Sequence, residues 1–169
     1  MTFLELAKRR YSVRDYKSKP IEDDKLRQIL KAAHSAPTAH NLQPFSLIVV
    51  HTKDREDELR RIYSSPFFVQ APIIICACSI PSQSWIRRDG KKYCEVDVTI
   101  AMDHLILAAT DLGLGTCWIA EFDPQAARET LRLPKETEPI VFTPLGYPDA
   151  QPRPKKRKSI NELVHYENW

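Results

Sequence analysis

Apolar and polar positions along this chain follow two periods, and the switches between them outline the elements. Thr2 and Glu5 stand three apart, as in a capping box. Phe3, Leu6 and Ala7 then mark a short amphipathic helix ending near Arg10. Tyr11–Tyr16 mixes aromatic, β-branched and charged residues and reads as extended up to Pro20. Leu26, Ile29, Leu30 and Ala33 recur at helical spacing, which predicts a second helix capped by Asp23 or Asp24. Ser35–Pro44 is a loop on composition and runs into an apolar strand, Phe45–Val50. A charged helix over Asp54–Tyr63 and a buried strand over Ile73–Cys78 follow. Ser79–Lys92, with Pro81 and Gly90, reads as a polar, mobile excursion.

The longest helical pattern is Glu95–Leu112. Val98, Met102, Leu105, Ala109 and Leu112 keep helical spacing, while Ile100, Ala101, Ile106 and Ala108 add apolar residues on other faces. A helix apolar on most sides belongs in a core or an interface, which in a chain this small points to a dimer. Gly113 and Gly115 stop it. Thr116–Ala120 is a short strand or strand end, and Asp123-Pro124 opens another helix with Asp as its cap. Ile140–Tyr147 is a strand. From Pro148 the chain turns Pro- and Lys-rich, an extended arm, with a last capping box at Ser159 and Glu162. Two helices precede any strand, so the order is not a βαβ repeat. The expected class is α+β, a mixed β-sheet flanked by helices with a long buried central helix. The 169 residues suit one domain, 1–169, with 148–169 as its C-terminal arm.

Composition narrows the function classes. The net charge of +3 carries no global basic field of the kind nucleic acid requires, so no nucleic-acid partner is expected. No apolar run is long enough for a bilayer, and no apolar run precedes a small-residue cleavage site, so a cytoplasmic location without membrane contact is expected. Cys76, Cys78, Cys94 and Cys117 then read as free thiols, and their spacing does not match a zinc site. The positive charge is nevertheless uneven, gathered in Lys8, Arg9, Arg10 and Arg14 at one end and Arg153, Lys155, Lys156, Arg157 and Lys158 at the other.

Three segments carry candidate chemistry. In an extended Arg10–Arg14, Arg10, Ser12 and Arg14 point to one side, and Tyr11 and Val13 to the other. Two guanidiniums and a hydroxyl suit a phosphate and an electron-rich ring edge, because guanidinium forks grip oxyanions bidentately. Pro37-Thr38-Ala39-His40-Asn41-Leu42-Gln43-Pro44 offers amides that both donate and accept, the mixture that a heterocycle with alternating carbonyl and N–H groups needs. Leu112–Glu121 holds glycines that permit close backbone approach. It is no dinucleotide fingerprint, since it ends a helix instead of opening one.

In this order the segments resemble the nitroreductase family of FMN-dependent oxidoreductases. Arg10, Ser12 and Arg14 match its Arg-x-Ser-x-Arg segment. Pro37, Thr38, Asn41, Gln43 and Pro44 match its Asn-Gln loop, Gly113-Leu114-Gly115 with Trp118-Ile119 its Gly-Leu-Gly strand, and Lys155 and Arg157 its closing basic pair. The resemblance implies a homodimer with flavin sites at the interface. Arg10, Lys155 and Arg157 would bind the FMN phosphate, Ser12 the phosphate or ribityl chain, and Arg14 the N1 and O2 edge. Thr38, Asn41 and Gln43 would come from the second copy, with Trp118 and Ile119 along the ring and the backbone of Ala120 and Glu121 near N5. Tyr11, Pro37 and Ala39 complete the cofactor-binding set. NADH or NADPH would be the donor, and a nitroaromatic, a quinone or a similar small molecule the acceptor. A specialised flavin reaction (dehalogenation, flavin destruction, azoline oxidation), a non-catalytic flavin-binding protein, and a basic-tailed module docking an acidic partner are the alternatives. Ala120-Glu121 departs from the Gly or Glu-Gly of many members, and the short chain leaves Ser79–Lys92 as the expected cover of the site.

Overall fold

The computed structural model describes residues 1–169. Helices α1 (Phe3–Arg9) and α2 (Asp23–His34) precede strand β1 (Phe45–His51). Short helices α3 (Glu56–Arg60) and α4 (Pro66–Gln70), strand β2 (Ile73–Ser79), the long helix α5 (Cys94–Asp111), strand β3 (Gly115–Thr116), helix α6 (Pro124–Leu131) and strand β4 (Glu138–Gly146) follow. The sheet order is β1-β2-β4-β3, and all three pairings are antiparallel. Parallel pairing is confined to a single bridge between Ser12 and Thr116, so the α+β sheet is mixed only at that edge.

The buried run of β2 follows from packing on both faces. Ile73, Ile75 and Ala77 join Val98, Met102, Leu105 and Ala109 of α5 with Ile29 and Ala33 of α2. The alternate residues Ile74, Cys76 and Cys78 face the other way, against Phe68, Leu59, Ala127 and Phe142. A strand covered on both sides loses polar alternation, which is why it reads as one apolar block. Phe142 anchors the second layer, edge to ring with Phe68 and Phe122 at centroid distances of 5.9 and 4.8 Å. The Cys76 and Cys78 sulfurs lie 3.5 Å apart on one face, and all four cysteines are free and buried.

The caps at Thr2–Glu5, Asp123 and Ser159–Glu162 form as the sequence expects. Three expectations change. Helix α2 starts after Glu22, not at an aspartate cap, and Glu22 makes no capping bond because it turns to the Tyr147 hydroxyl, 2.6 Å away. The charged helix shrinks to Glu56–Arg60, and α4 appears where Pro66 stands at its first turn. Ser79–Lys92 is not an untethered excursion. Ser84 Oγ accepts the backbone N–H groups of Tyr93 and Cys94 at 2.9 and 3.0 Å, and Ile86 bridges to Lys92. Those bonds satisfy the opening of α5, whose own cap residue offers no side chain.

From Gln151 onward the arm is exposed throughout. It presents Ile160, Leu163, Tyr166 and Trp169 to solvent, and α1, which buries no residue, presents Phe3 and Leu4.

Candidate functional site

Extended backbone after Arg10 lets residues 11–16 run beside β3. Val13 N–H donates to the Thr116 carbonyl at 2.9 Å, and the Val13 side chain drops into the core. It fits there because Gly115 has no side chain: a Cβ on Gly115 would stand 2.5 Å from Val13 Cγ2. The close approach expected of the Gly-Leu-Gly strand is thus made to the chain's own N-terminal segment. Gly113, with φ at +76°, terminates α5. With Val13 turned inward, Arg10, Ser12 and Arg14 are left on the open side.

The C-terminal arm crosses this segment. Tyr16 bridges to Pro148, Asp149 N–H donates to the Asp15 carbonyl at 2.9 Å, and the Tyr11 hydroxyl donates to the Ala150 carbonyl at 2.7 Å. Lys155 Nζ donates to the carbonyls of Lys8 and Arg10, just past the end of α1, where a cation also meets the negative end of the helix. Between segment and arm lies a cavity of about 650 Å³ whose walls include Arg10, Ser12, Arg14, Arg153, Lys155 and Arg157. Lys156 also lines it.

The charge of this cavity is mainly positive: Asp15 is the one acidic residue in its walls, and its carboxylate accepts Gln70 Nε2 at 2.8 Å. The six ion pairs of the chain all lie elsewhere, from Lys19–Glu22 to Arg87–Asp89. Burial pushes the Lys155 ammonium below its ordinary value, and the charges of Arg10 and Arg157 push it further the same way. Cations gathered in excess over one carboxylate repel one another, and an anion among them turns that repulsion into attraction. Lys155 spends two of its three donors on carbonyls and keeps one for a ligand, so it clamps the arm as much as it binds. Beside Ser12, burial pushes the Cys117 thiol up, leaving it a neutral neighbour. The donor set fits a phosphate.

The Asn-Gln loop lies outside the walls of that cavity. Its 3-10 turn, Ala39–Asn41, places His40, Asn41 and Gln43 all at positive φ, between 51° and 55°. Non-glycine residues held there cost on the order of 1–3 kcal/mol each and persist only where the surroundings over-determine them. The Thr38 hydroxyl accepts Gln43 N–H at 3.1 Å, Gln43 Nε2 donates to the Asn41 carbonyl at 2.9 Å, and Asp97 Oδ1 accepts Ala39 N–H at 2.9 Å. The His40 ring stacks on Trp85, with centroids 5.8 Å apart. Residues 79–92 therefore buttress this loop through Trp85.

The strand after β3 divides. Trp118 is 40% exposed, and Ala120 and Glu121 are also exposed. The Ile119 side chain is buried with Phe142 and Cys117, and both its backbone groups bond Phe142 at 2.9 Å. Its side chain thus belongs to the core. One chain therefore unites Arg10, Tyr11, Ser12, Arg14, Lys155 and Arg157. Pro37, Thr38, Ala39, Asn41 and Gln43, and Trp118, Ala120 and Glu121, do not line that cavity.

Sequence reasoning missed Asp97 and the Trp85–His40 stack. Asp97 had a visible signal, a carboxylate in the i, i+4, i+8 stripe with Ala101 and Leu105. No helix is long and apolar enough to cross a membrane, and no three His, Cys, Asp or Glu side chains converge as metal ligands would.

Comparison with known proteins gives a consistent result. The family model described as Nitroreductase family matches residues 7–65 and 61–147. The chain is similar to the crystal structure of a nitroreductase family protein from Clostridium difficile 630, at 37% identity and a TM-score of 0.92 over all of both chains. An FMN-dependent nitroreductase from Clostridium difficile R20291 is 28% identical with a TM-score of 0.80, over 99% of this chain and 100% of that one. A Bacillus subtilis strain 168 relative, FMN reductase (NAD(P)H), is 26% identical over 94% of this chain and 70% of its own.

Proposed function

The chain belongs to the nitroreductase family, and from that premise we propose an FMN-dependent oxidoreductase that moves two electrons from NADH or NADPH to a small acceptor such as a nitroaromatic or quinone. The observation that carries the reading is the cavity where the two basic ends of the chain meet, with none of its cations in an ion pair. The names borne by the similar proteins, FMN reductase and FMN-dependent nitroreductase, support the cofactor and the donor.

In this reading Arg10, Arg157 and the remaining donor of Lys155 hold the phosphate, and Ser12 holds the phosphate or the ribityl chain. Arg14 lies at the N1 and O2 edge of the ring, where it stabilises negative charge. Bound FMN supplies two-electron chemistry at its N5 atom. Thr38, Asn41 and Gln43 of a second copy face the pyrimidine with their amide and hydroxyl groups. Trp118 lies along the ring, and the backbone of Ala120 and Glu121 lies near N5. A homodimer is supported by the absence of Thr38, Asn41 and Gln43 from the walls of the cavity within one chain. The apolar residues exposed on α1 and on the arm support it too. The whole chain, 1–169, acts as one domain with 148–169 as its arm, in a reducing cytoplasm suited to four free thiols.

The test is direct. The purified protein should take up FMN, turn yellow, and bleach without oxygen on addition of NADH or NADPH. A protein that takes up no FMN refutes the reading, and one that binds FMN without bleaching is a flavin binder or uses another donor.

A further inference from the structure

One buried group near the proposed site is still without a role, the carboxylate of Asp97. It sits in the first turn of α5 at 2% exposure and belongs to no ion pair. Oδ1 accepts the Ala39 N–H at 2.9 Å, and Oδ2 is buried with no donor at all. A carboxylate so placed is costly, and the positive end of α5 offsets only part of that cost. An apolar side chain of similar size would fit the i, i+4, i+8 stripe with Ala101 and Leu105 without it. The carboxylate is therefore explained by what it holds.

It holds the first residue of the Asn-Gln turn. The other hydrogen bonds of the loop are local: Gln43 N–H to Thr38 Oγ1, Gln43 Nε2 to the Asn41 carbonyl, and Asn41 N–H to the Thr38 carbonyl. Pro44 is tied to the segment beyond β2, its carbonyl accepting Ile80 N–H at 2.8 Å. The Asp97 bond joins the turn to the central helix. It acts at Ala39, one residue before the run of positive φ at His40, Asn41 and Gln43. Local bonds shape such a turn, while its position relative to the rest of the molecule is set where it is tied to a rigid element.

We infer that Asp97 is a positioning residue: its carboxylate fixes the turn that aims Asn41 and Gln43 at the ligand ring. Trp85, stacked on His40, supports the same turn from outside. The inference rests on the flavin reading above for the identity of that ring, and it deepens that reading by naming what holds the ring-facing loop.

Two full-length variants test it. Asp97→Asn keeps an acceptor for Ala39 N–H. Asp97→Leu fills the space, removes the buried charge and removes the acceptor. The Asn variant should bind FMN within about threefold of the parent, with the parent's bound-flavin absorption spectrum. The Leu variant should melt at or above the parent temperature, yet bind FMN about tenfold or more weakly and with a shifted visible band, the signature of altered hydrogen bonding to the ring. A Leu variant with parental affinity and spectrum overturns the inference, as does an Asn variant as weak as the Leu one. If the Leu variant does not fold, Asp97→Ser, too short to reach Ala39, is read in the same way. Hydrogen exchange at the Ala39 amide without FMN separates the two proposals. Slow exchange in the parent and the Asn variant, fast in the Leu variant, supports the tie even if the parent takes up no FMN. Equal exchange in all three refutes the tie whatever FMN does.

Discussion

Adding one methyl group at Gly115 should damage a site it does not touch. A Cβ there would lie 2.5 Å from Val13 Cγ2, 2.9 Å from Val13 Cβ and 3.0 Å from Val13 Cγ1. Carbon atoms rest at about 3.5–4.0 Å, so Val13 or its strand must retreat by about 1 Å. Val13 is fully buried, and its N–H holds residues 11–16 to Thr116. Overpacking of this kind costs about 1–3 kcal/mol, which for a chain of this length lowers Tm by about 3–10 °C. The retreat carries Arg10, Ser12 and Arg14 with it, and a displacement of about 1 Å in a positioned site should cost ten- to a hundredfold in FMN affinity. The assay is a thermal melt beside an FMN fluorescence titration of Gly115→Ala. Val13→Ala in the same chain removes the 2.5 Å contact but leaves the one at 2.9 Å, so it should restore part of both quantities. Parental melting and affinity in Gly115→Ala, or no recovery in the double variant, would show that Val13 does not couple the glycine strand to the site.

Arg14→Ala should lower the reduction potential of bound flavin by about 20–45 mV, the equivalent of about 1–2 kcal/mol for an exposed guanidinium; an unchanged potential in a spectroelectrochemical titration removes Arg14 from the ring edge. The Tyr147 hydroxyl bond, with Lys19 nearby, holds the Glu22 carboxyl down to about 2. Its folded value lies below its unfolded one, so its stabilising contribution is complete above about pH 4.5 and fades as pH falls toward 2. Glu22→Gln should therefore lower Tm above about pH 4.5 and leave it little changed near pH 2, which flattens the acid limb of a Tm-against-pH curve; a parental Tm at neutral pH with an unaltered acid limb contradicts this. Phe142→Ala should cost about 3–5 kcal/mol by urea denaturation, because it empties the centre of the layer shared with Phe68 and Phe122; a loss below about 1 kcal/mol would mean that layer collapses into the gap.

The sequence showed most clearly those features set by local rules. Helix α5, β2, the Asp123 cap and the alternation that bares Arg10, Ser12 and Arg14 each follow from spacing or from a single side chain reaching its own backbone. Helix α4 escaped notice because its five residues, Pro66–Gln70, hold too little periodicity to outweigh a proline. The inward turn of Ile119 was hidden because it depends on Phe142, more than twenty residues away. The Ser79–Lys92 segment looked loose because its order comes from the Ser84 hydroxyl and from Trp85 meeting His40, contacts that composition cannot show. The resemblance picks Lys155 out of the arm's lysines, but its lock onto the end of α1 is visible only in the fold.

That lock joins residues 145 positions apart, Arg10 and Lys155. The sheet and α5 are fully specified by residue 146, while the anion cradle needs the arm that follows. During synthesis, therefore, the chain can bury its core before the arm arrives to close the cavity, so the fold precedes the proposed phosphate grip. A chain cut after Tyr147 should keep its scaffold and lose its grip, which makes the integrity of the arm a checkpoint separate from folding.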